Sequence, residues 1–235
     1  MSDRFGIISN VKDSQLSGRE ERGHQASASG RGTRGRPQNA EKRDAILDCA
    51  KRLFARHGLD GTSMDQIAAQ AGVSKVTVYR HFNCKEDLFR YAVTAKCAQH
   101  TPDAVFLGQS DEPVRQRLCR IGEGFLDLIL DEDPMNLCRL LASQGARVNR
   151  LGRLFWESGP ARNIGLLAQY LTTVHDAGDL DIADPERAAT HFLSMMKGQH
   201  HLKQLVGAES MLPSQARKKY VKEAVDVFLR AYAPR

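Results

Sequence analysis

Between positions 74 and 85 the chain carries Ser74, Lys75, Val76, Thr77, Tyr79, Arg80, His81 and Lys85. Such closely set cations, hydroxyls, a phenol and an imidazole bind phosphates and base edges more readily than they break bonds. Lys75 and Val76 come first. A lysine can donate to guanine O6 or N7, and the methyl groups of Val76 or Thr77 can meet a thymine methyl. Tyr79 and His81 are too short for bases and suit phosphate oxygens. Lys85 adds its charge to a helix N-terminus, a ready anion site, and Thr62 or Ser63 offers a hydroxyl with free backbone N–H groups at another. The run Arg34-Gly35-Arg36-Pro37 can lie extended, and Arg34 and Arg36 then suit a narrow A·T-rich minor groove. The plainer alternatives are a solubilising tail for the arm, and packing plus a solvated charged face for the rest.

Helices must hold these groups in place. The spacing of Ile46, Leu47, Ala50, Leu53 and Phe54 predicts a helix over 40–57, ended by Gly58. A second helix starts at Thr62-Ser63, where Ser63 with Gln66 fits a capping box and Thr62 with Asp65 is a one-residue alternative. The turn Ala71-Gly72-Val73-Ser74 needs a positive φ at Gly72. Ser74 then caps a short helix over 75–81, and Asn83 caps a fourth. Two short helices joined by such a turn make a helix-turn-helix, whose second member enters the major groove by its N-terminal residues. No alternating apolar run stands out, so the fold class is all-α.

Of the 235 residues, 41% are apolar and the net charge is +6. Residues 1–88 carry 15 basic and 11 acidic side chains against 19 and 17 beyond, a small surplus toward the proposed polyanion side. Residues 1–38 hold little to bury and are expected to be a disordered basic arm. The chain then divides into a helix-turn-helix domain over 39–88 and a helical domain over 89–235. No apolar run approaches the roughly 18 residues of a membrane span, and no secretory leader is visible. A cytoplasmic location follows, with Cys49, Cys84, Cys97, Cys119 and Cys138 as reduced thiols. G-x-S-x-G, Walker, G-x-G-x-x-G and H-E-x-x-H motifs are absent, and neighbouring His200 and His201 point about 100° apart. Neither an enzyme nor a metal or other cofactor is expected.

The stretch AILDCAKRLFARHGLDGTSMDQIAAQAGVSKVTVYRHFNCKEDLF resembles the DNA-binding domain of the TetR family of one-component transcriptional regulators. Phe54, Gly58, Thr62, Ile67-Ala68, Ala71-Gly72-Val73-Ser74, Thr77, Tyr79, His81-Phe82, Lys85 and Leu88 carry the resemblance. Val76 stands where Gly or Ala is usual, and Cys84 where Ser is usual. The resemblance implies that Tyr79 and His81 hold the DNA backbone of a double-stranded, pseudo-palindromic operator bound by a homodimer. The run from Leu140 to Gly198 resembles the regulatory domain of AefR-like members, which implies helical ligand binding, dimerisation and repression.

Helices are expected at about 86–100, 113–131, 135–147, 151–157, 160–177, 185–206 and 214–232. Among them Phe125, Phe155, Trp156, Tyr170, Phe192 and Met195 can line a pocket for an apolar or amphipathic effector, since no charge cluster is visible for a strongly ionic one. The alternative for each is ordinary core packing. In the family the last two helices form a four-helix dimer contact. Val221, Ala224, Val225 and Phe228 would make its stripe; the plainer alternative is that this stripe covers the subunit's own core, and both uses are compatible over one stripe and a neighbour. Two further alternatives are a redox-responsive regulator acting through Cys84 and a helical interaction protein without DNA binding. The Thr77, Tyr79, His81 and Lys85 set speaks against the second.

Overall fold

The computed structural model describes residues 35–108, 111–143, 150–208 and 213–234, with side chains from residue 39 onward. Among them lie eleven helices and no strand: α1 (Gly35–His57), α2 (Met64–Gln70), α3 (Lys75–His81), α4 (Lys85–His100), α5 (Asp103–Leu107), α6 (Val114–Leu130), α7 (Glu132–Ser143), α8 (Arg150–Ser158), α9 (Pro160–Asp176), α10 (Pro185–Leu205) and α11 (Ser214–Ala231). The all-α reading holds.

Local signals set most of these bounds. The stripe Ile46, Leu47, Ala50, Leu53 and Phe54 is buried along α1. At α2 the Ser63 hydroxyl accepts from the Gln66 N–H at 3.1 Å, and the Gln66 side chain accepts from the Ser63 N–H at 2.8 Å. Gly72 turns the chain at φ +65, a region closed to most side chains. Ser74 then accepts from the Thr77 N–H at 3.2 Å and starts α3. Asp184 caps α10 through the Arg187 N–H at 3.0 Å, with Pro185 at the first helical position.

Three boundaries differ from the sequence reading, and one helix was not foreseen. Helix α1 begins at Gly35, so residues 35–38 belong to a helix and not to an extended arm. Pro37 is tolerated there because the first-turn N–H groups have no intrahelical partner to lose. Cys84, not Asn83, is the N-cap of α4, without a side-chain bond to the helix backbone. Helix α7 starts at Glu132 and places Pro134 within its first turn. Helix α5 escaped prediction: it is a single turn whose one buried apolar residue is Phe106.

The helices share two cores. The first gathers α1 to α4 around Phe54 and Phe89, edge to face at 5.2 Å, and takes in Leu137 of α7 with Leu151 and Leu154 of α8. The helix-turn-helix is therefore welded to later helices and does not close on itself at residue 88. The second core joins α6, α9, α10 and α11, with Phe192 and Phe228 edge to face at 5.2 Å. Helix α10 breaks at Gly198, at φ +44 and ψ −152. Tyr220 of α11 occupies the break and donates its hydroxyl to the Met195 carbonyl, and a side chain at position 198 would collide with that phenol. The described residues from Gly35 onward cluster as one compact unit.

Candidate nucleic-acid interface and effector cavity

Helix α3 buries only Val78, so the rest of its surface is free to meet a ligand. Lys75, Val76, Tyr79 and Arg80 are exposed and fall at the spacing of one helical face, with Val76 68% and Tyr79 46% exposed. Thr77 is engaged locally, its hydroxyl 2.8 Å from that of Ser74. The Nε2 of His81 is buried without a hydrogen-bond partner, so any phosphate contact from this ring goes through Nδ1.

Lys75 is held by Asp65 of α2 at 2.9 Å, and that bond raises its pKa. The lysine proposed to read bases therefore has an internal competitor. Ser63 keeps a free hydroxyl proton on an exposed α2 start, since its oxygen accepts and its N–H is already taken by Gln66. Thr62 does not serve as an anion site. It is 2% exposed, and its hydroxyl donates inward to the Gly58 carbonyl at 2.7 Å, with the Leu53 carbonyl at 3.3 Å. It closes the end of α1 instead, satisfying carbonyls that the helix leaves open. Arg34 lies outside the described residues, and so does the side chain of Arg36.

Lys85 opens α4 with Cys84 and Glu86 on either side. The Glu86 carboxyl is held below its usual range by its own backbone N–H, with help from the Cys84 thiol, Arg150 and Lys85. Its ion pair with Arg150, at 3.1 Å, ties the start of α4 to α8.

Further along, α4 becomes one wall of a cavity of about 420 Å³. Phe89, Val93, Lys96 and Cys97 face it from α4, and Lys51 and Phe54 from α1. Helices α6 to α10 supply the other walls, with Phe125, Phe155 and Trp156 among them. These three are the aromatic residues that the sequence offered for a pocket.

The other three pocket candidates lie elsewhere. Phe192 is fully buried against Phe228. Tyr170 is buried under the Arg117 guanidinium, 5.1 Å from its ring centre, and burial pushes its phenol up to about 12. Met195 packs against the second core. None of the three lines the cavity.

The cavity is also more charged than the sequence suggested. Lys51, Lys96, Lys197 and Asp133 line it, with His201, Asn163 and the thiols of Cys97 and Cys138. Lys96 sits 2.9 Å from Asp131 and 3.3 Å from Asp133. Burial pulls its pKa down, but the two carboxylates more than offset this and the net shift is upward. The Oδ1 of Asn163 is buried without a partner. Burial pushes the His201 imidazole down to about 4, with Lys197 adding to the effect. Lysines at positions 51, 96 and 197 show no spacing in the sequence, and only the packing of α1, α4 and α10 brings them to one cavity. Among the described residues no group of three or more His, Cys, Asp or Glu side chains could hold a metal ion.

Val221, Ala224, Val225 and Phe228 are buried in the subunit's own core, which corrects their assignment to a dimer contact. The stripe faces α6 and α10. The exposed apolar residues of the last two helices are Leu202 and Val227. No described helix is long and apolar enough to cross a membrane.

Comparison with known proteins agrees with both halves of this arrangement. Residues 46–92 match the family described as bacterial regulatory proteins, tetR family, and residues 116–234 match the AefR-like transcriptional repressor, C-terminal domain. The HTH-type transcriptional activator FasR of Mycolicibacterium smegmatis is 33% identical over 47% of this chain and 50% of its own. The chain spans about half the length, or less, of the first curated relatives it matches. Solved structures match more fully. A TetR-family transcriptional regulator from Mesorhizobium loti is 28% identical, covering 83% of this chain and 98% of its own with a TM-score of 0.67. The flavonoid-responsive regulator FrrA is 34% identical, covering 83% and 99% with a TM-score of 0.60. With its C-terminal half matched throughout and its helix-turn-helix matched besides, the chain belongs to the TetR family of transcriptional regulators and carries an AefR-like C-terminal domain.

Proposed function

We propose that the chain is a sequence-specific DNA-binding repressor, acting as a homodimer on a pseudo-palindromic operator and released by a small effector. One observation carries this reading: α4 starts at Lys85, just after the α3 face, and continues as a wall of the cavity through Phe89, Val93, Lys96 and Cys97. A molecule filling the cavity changes where α4 can sit. In a dimer, a small tilt of α4 alters the spacing of two recognition helices that must match one turn of DNA. DNA and effector then weaken each other by the same factor, and a coupling of roughly 1–3 kcal/mol corresponds to about 5–150-fold.

In this reading residues 39–88 read DNA and residues 89–235 sense and dimerise, with α4 crossing the boundary. Lys75, Val76 and Arg80 meet base edges. Ser63, Tyr79, Lys85 and the Nδ1 of His81 hold phosphates, and Ser74 with Thr77 fixes the start of α3. Leu202 and Val227 lie in the contact between α10 and α11 of the two subunits. The regulator works in the cytoplasm without a cofactor and catalyses no reaction. The AefR-like match supports repression, and the flavonoid response in FrrA's name supports a small-molecule effector.

The test is fluorescence anisotropy with the DNA upstream of the chain's own gene, at several salt concentrations, alongside light scattering. A dimer whose affinity falls steeply with salt is expected, because the anchors are phosphate contacts. A monomer at micromolar concentration, or no salt-sensitive complex, would contradict the reading.

The Lys75–Asp65 pair yields a sharper expectation. Asp65→Asn releases Lys75 and removes a negative charge from the DNA side. Operator affinity should rise several-fold at low salt, and the gain should shrink as salt screens the lost repulsion. Unchanged or weaker binding would place Lys75 away from the DNA.

A further inference from the structure

Taking the cavity as the effector site of the preceding section, we propose that its natural occupant is a small aromatic anion, with the negative charge at the α10 wall against Lys197 and His201. The charges around the cavity point this way. Three lysines line it against one aspartate. That aspartate, Asp133, is already committed to Lys96 together with Asp131, and Lys51 has Asp48 at 3.1 Å. Lys197 has no hydrogen-bond or ion-pair partner among the described residues. A neutral occupant would cover this ammonium without pairing it, and a cationic one would add to the surplus.

His201 supplies the second observation. It lines the same cavity, is 6% exposed, and makes no hydrogen bond among the described residues. Its burial keeps the ring neutral, so one nitrogen carries a proton to donate. A carboxylate or phenolate between Lys197 and His201 would take a charged and a neutral donor together, and hydrogen bonds to an ionised acceptor are the stronger kind. The remaining walls are suited to a ring system. Phe54, Phe89, Phe125, Phe155 and Trp156 surround the space from four helices. Gly198 breaks α10 between the two charge-facing residues, and the Tyr220 hydroxyl fixes that break through the Met195 carbonyl.

Three probes of one shape separate charge from shape: biphenyl-4-carboxylate, biphenyl-4-carboxamide and biphenyl-4-methylammonium. Each is titrated into the full chain by calorimetry, while the emission of Trp156, the chain's one tryptophan, reports occupancy of the cavity. The carboxylate should bind about tenfold or more tighter than the carboxamide, with the ammonium weakest. Lys197→Gln, a change at an exposed side chain with an unaltered thermal melt, should erase that preference by lowering carboxylate affinity to about that of the carboxamide. Equal affinities for carboxylate and carboxamide, with Trp156 responding to both, would overturn the anion assignment and leave the cavity as an effector site. A preference that survives Lys197→Gln would overturn it as well. If no probe binds or perturbs Trp156, the cavity reading fails and the anion assignment falls with it.

Discussion

Tyr79→Phe should lower the affinity of the dimer for DNA by roughly 10²–10⁴-fold, and by the same factor on operator and random sequence. The phenol stands exposed on α3 with its hydroxyl available, and the change deletes one oxygen while keeping the ring. A hydrogen bond to a charged acceptor contributes about 1.5–3 kcal/mol, and a symmetric dimer loses two of them. The resulting loss of about 3–6 kcal/mol corresponds to that range. Stability should stay put, because Tyr79 belongs to neither core. Anisotropy on a specific and a scrambled duplex checks the claim. A loss confined to the operator would make Tyr79 a base reader, and no loss would remove it from the interface.

Phe192→Ala should have the largest effect on folding and little on sensing. The ring is fully buried against Phe228 and touches the core of α6, α9, α10 and α11. Removing a buried phenylalanine typically costs about 3–5 kcal/mol, a large share of a domain's total stability. Trp156→Ala gives the contrasting result: the side chain is 55% exposed at the rim of the cavity, so stability should barely change while effector binding weakens. Urea unfolding and probe titration of the two variants separate the roles. A stable Phe192→Ala that no longer binds the probes would return Phe192 to the pocket.

The DNA-facing half was legible because its signals are local. A cap, a glycine turn and a second cap lie within the stretch from Ser63 to Ser74, and each acts on backbone groups a few residues away. The start of α3 follows from Ser74. Thr62 escaped because a threonine before a helix can turn outward or inward, and only the position of the Gly58 carbonyl decides. Cys84 took the capping position of α4 although its side chain makes no bond to the helix backbone, a case in which chain geometry outweighed side-chain chemistry.

The cavity was harder to read for a geometric reason. An aromatic residue on a helix between two neighbours can face either one, and a step of about 100° per residue moves it from cavity to core. Phe192 faces α11 while Leu193 beside it lines the cavity. The stripe Val221, Ala224, Val225 and Phe228 was recognised as apolar, but its partner proved to be the subunit itself. Charge at the cavity was invisible for a different reason, since Lys51, Lys96 and Lys197 lie on helices far apart in sequence.

The central claim is that a two-fold pair of α3 helices reads one site while α4 ties that reading to the cavity. Selection of genomic fragments by the purified chain, followed by sequencing, tests it most directly. The account predicts an enriched pseudo-palindrome with half-sites about one helical turn, roughly 34–36 Å, apart, with Tyr79→Phe lowering the amount of DNA recovered without changing the motif. Fragments with no shared sequence, or a single asymmetric half-site, would contradict it.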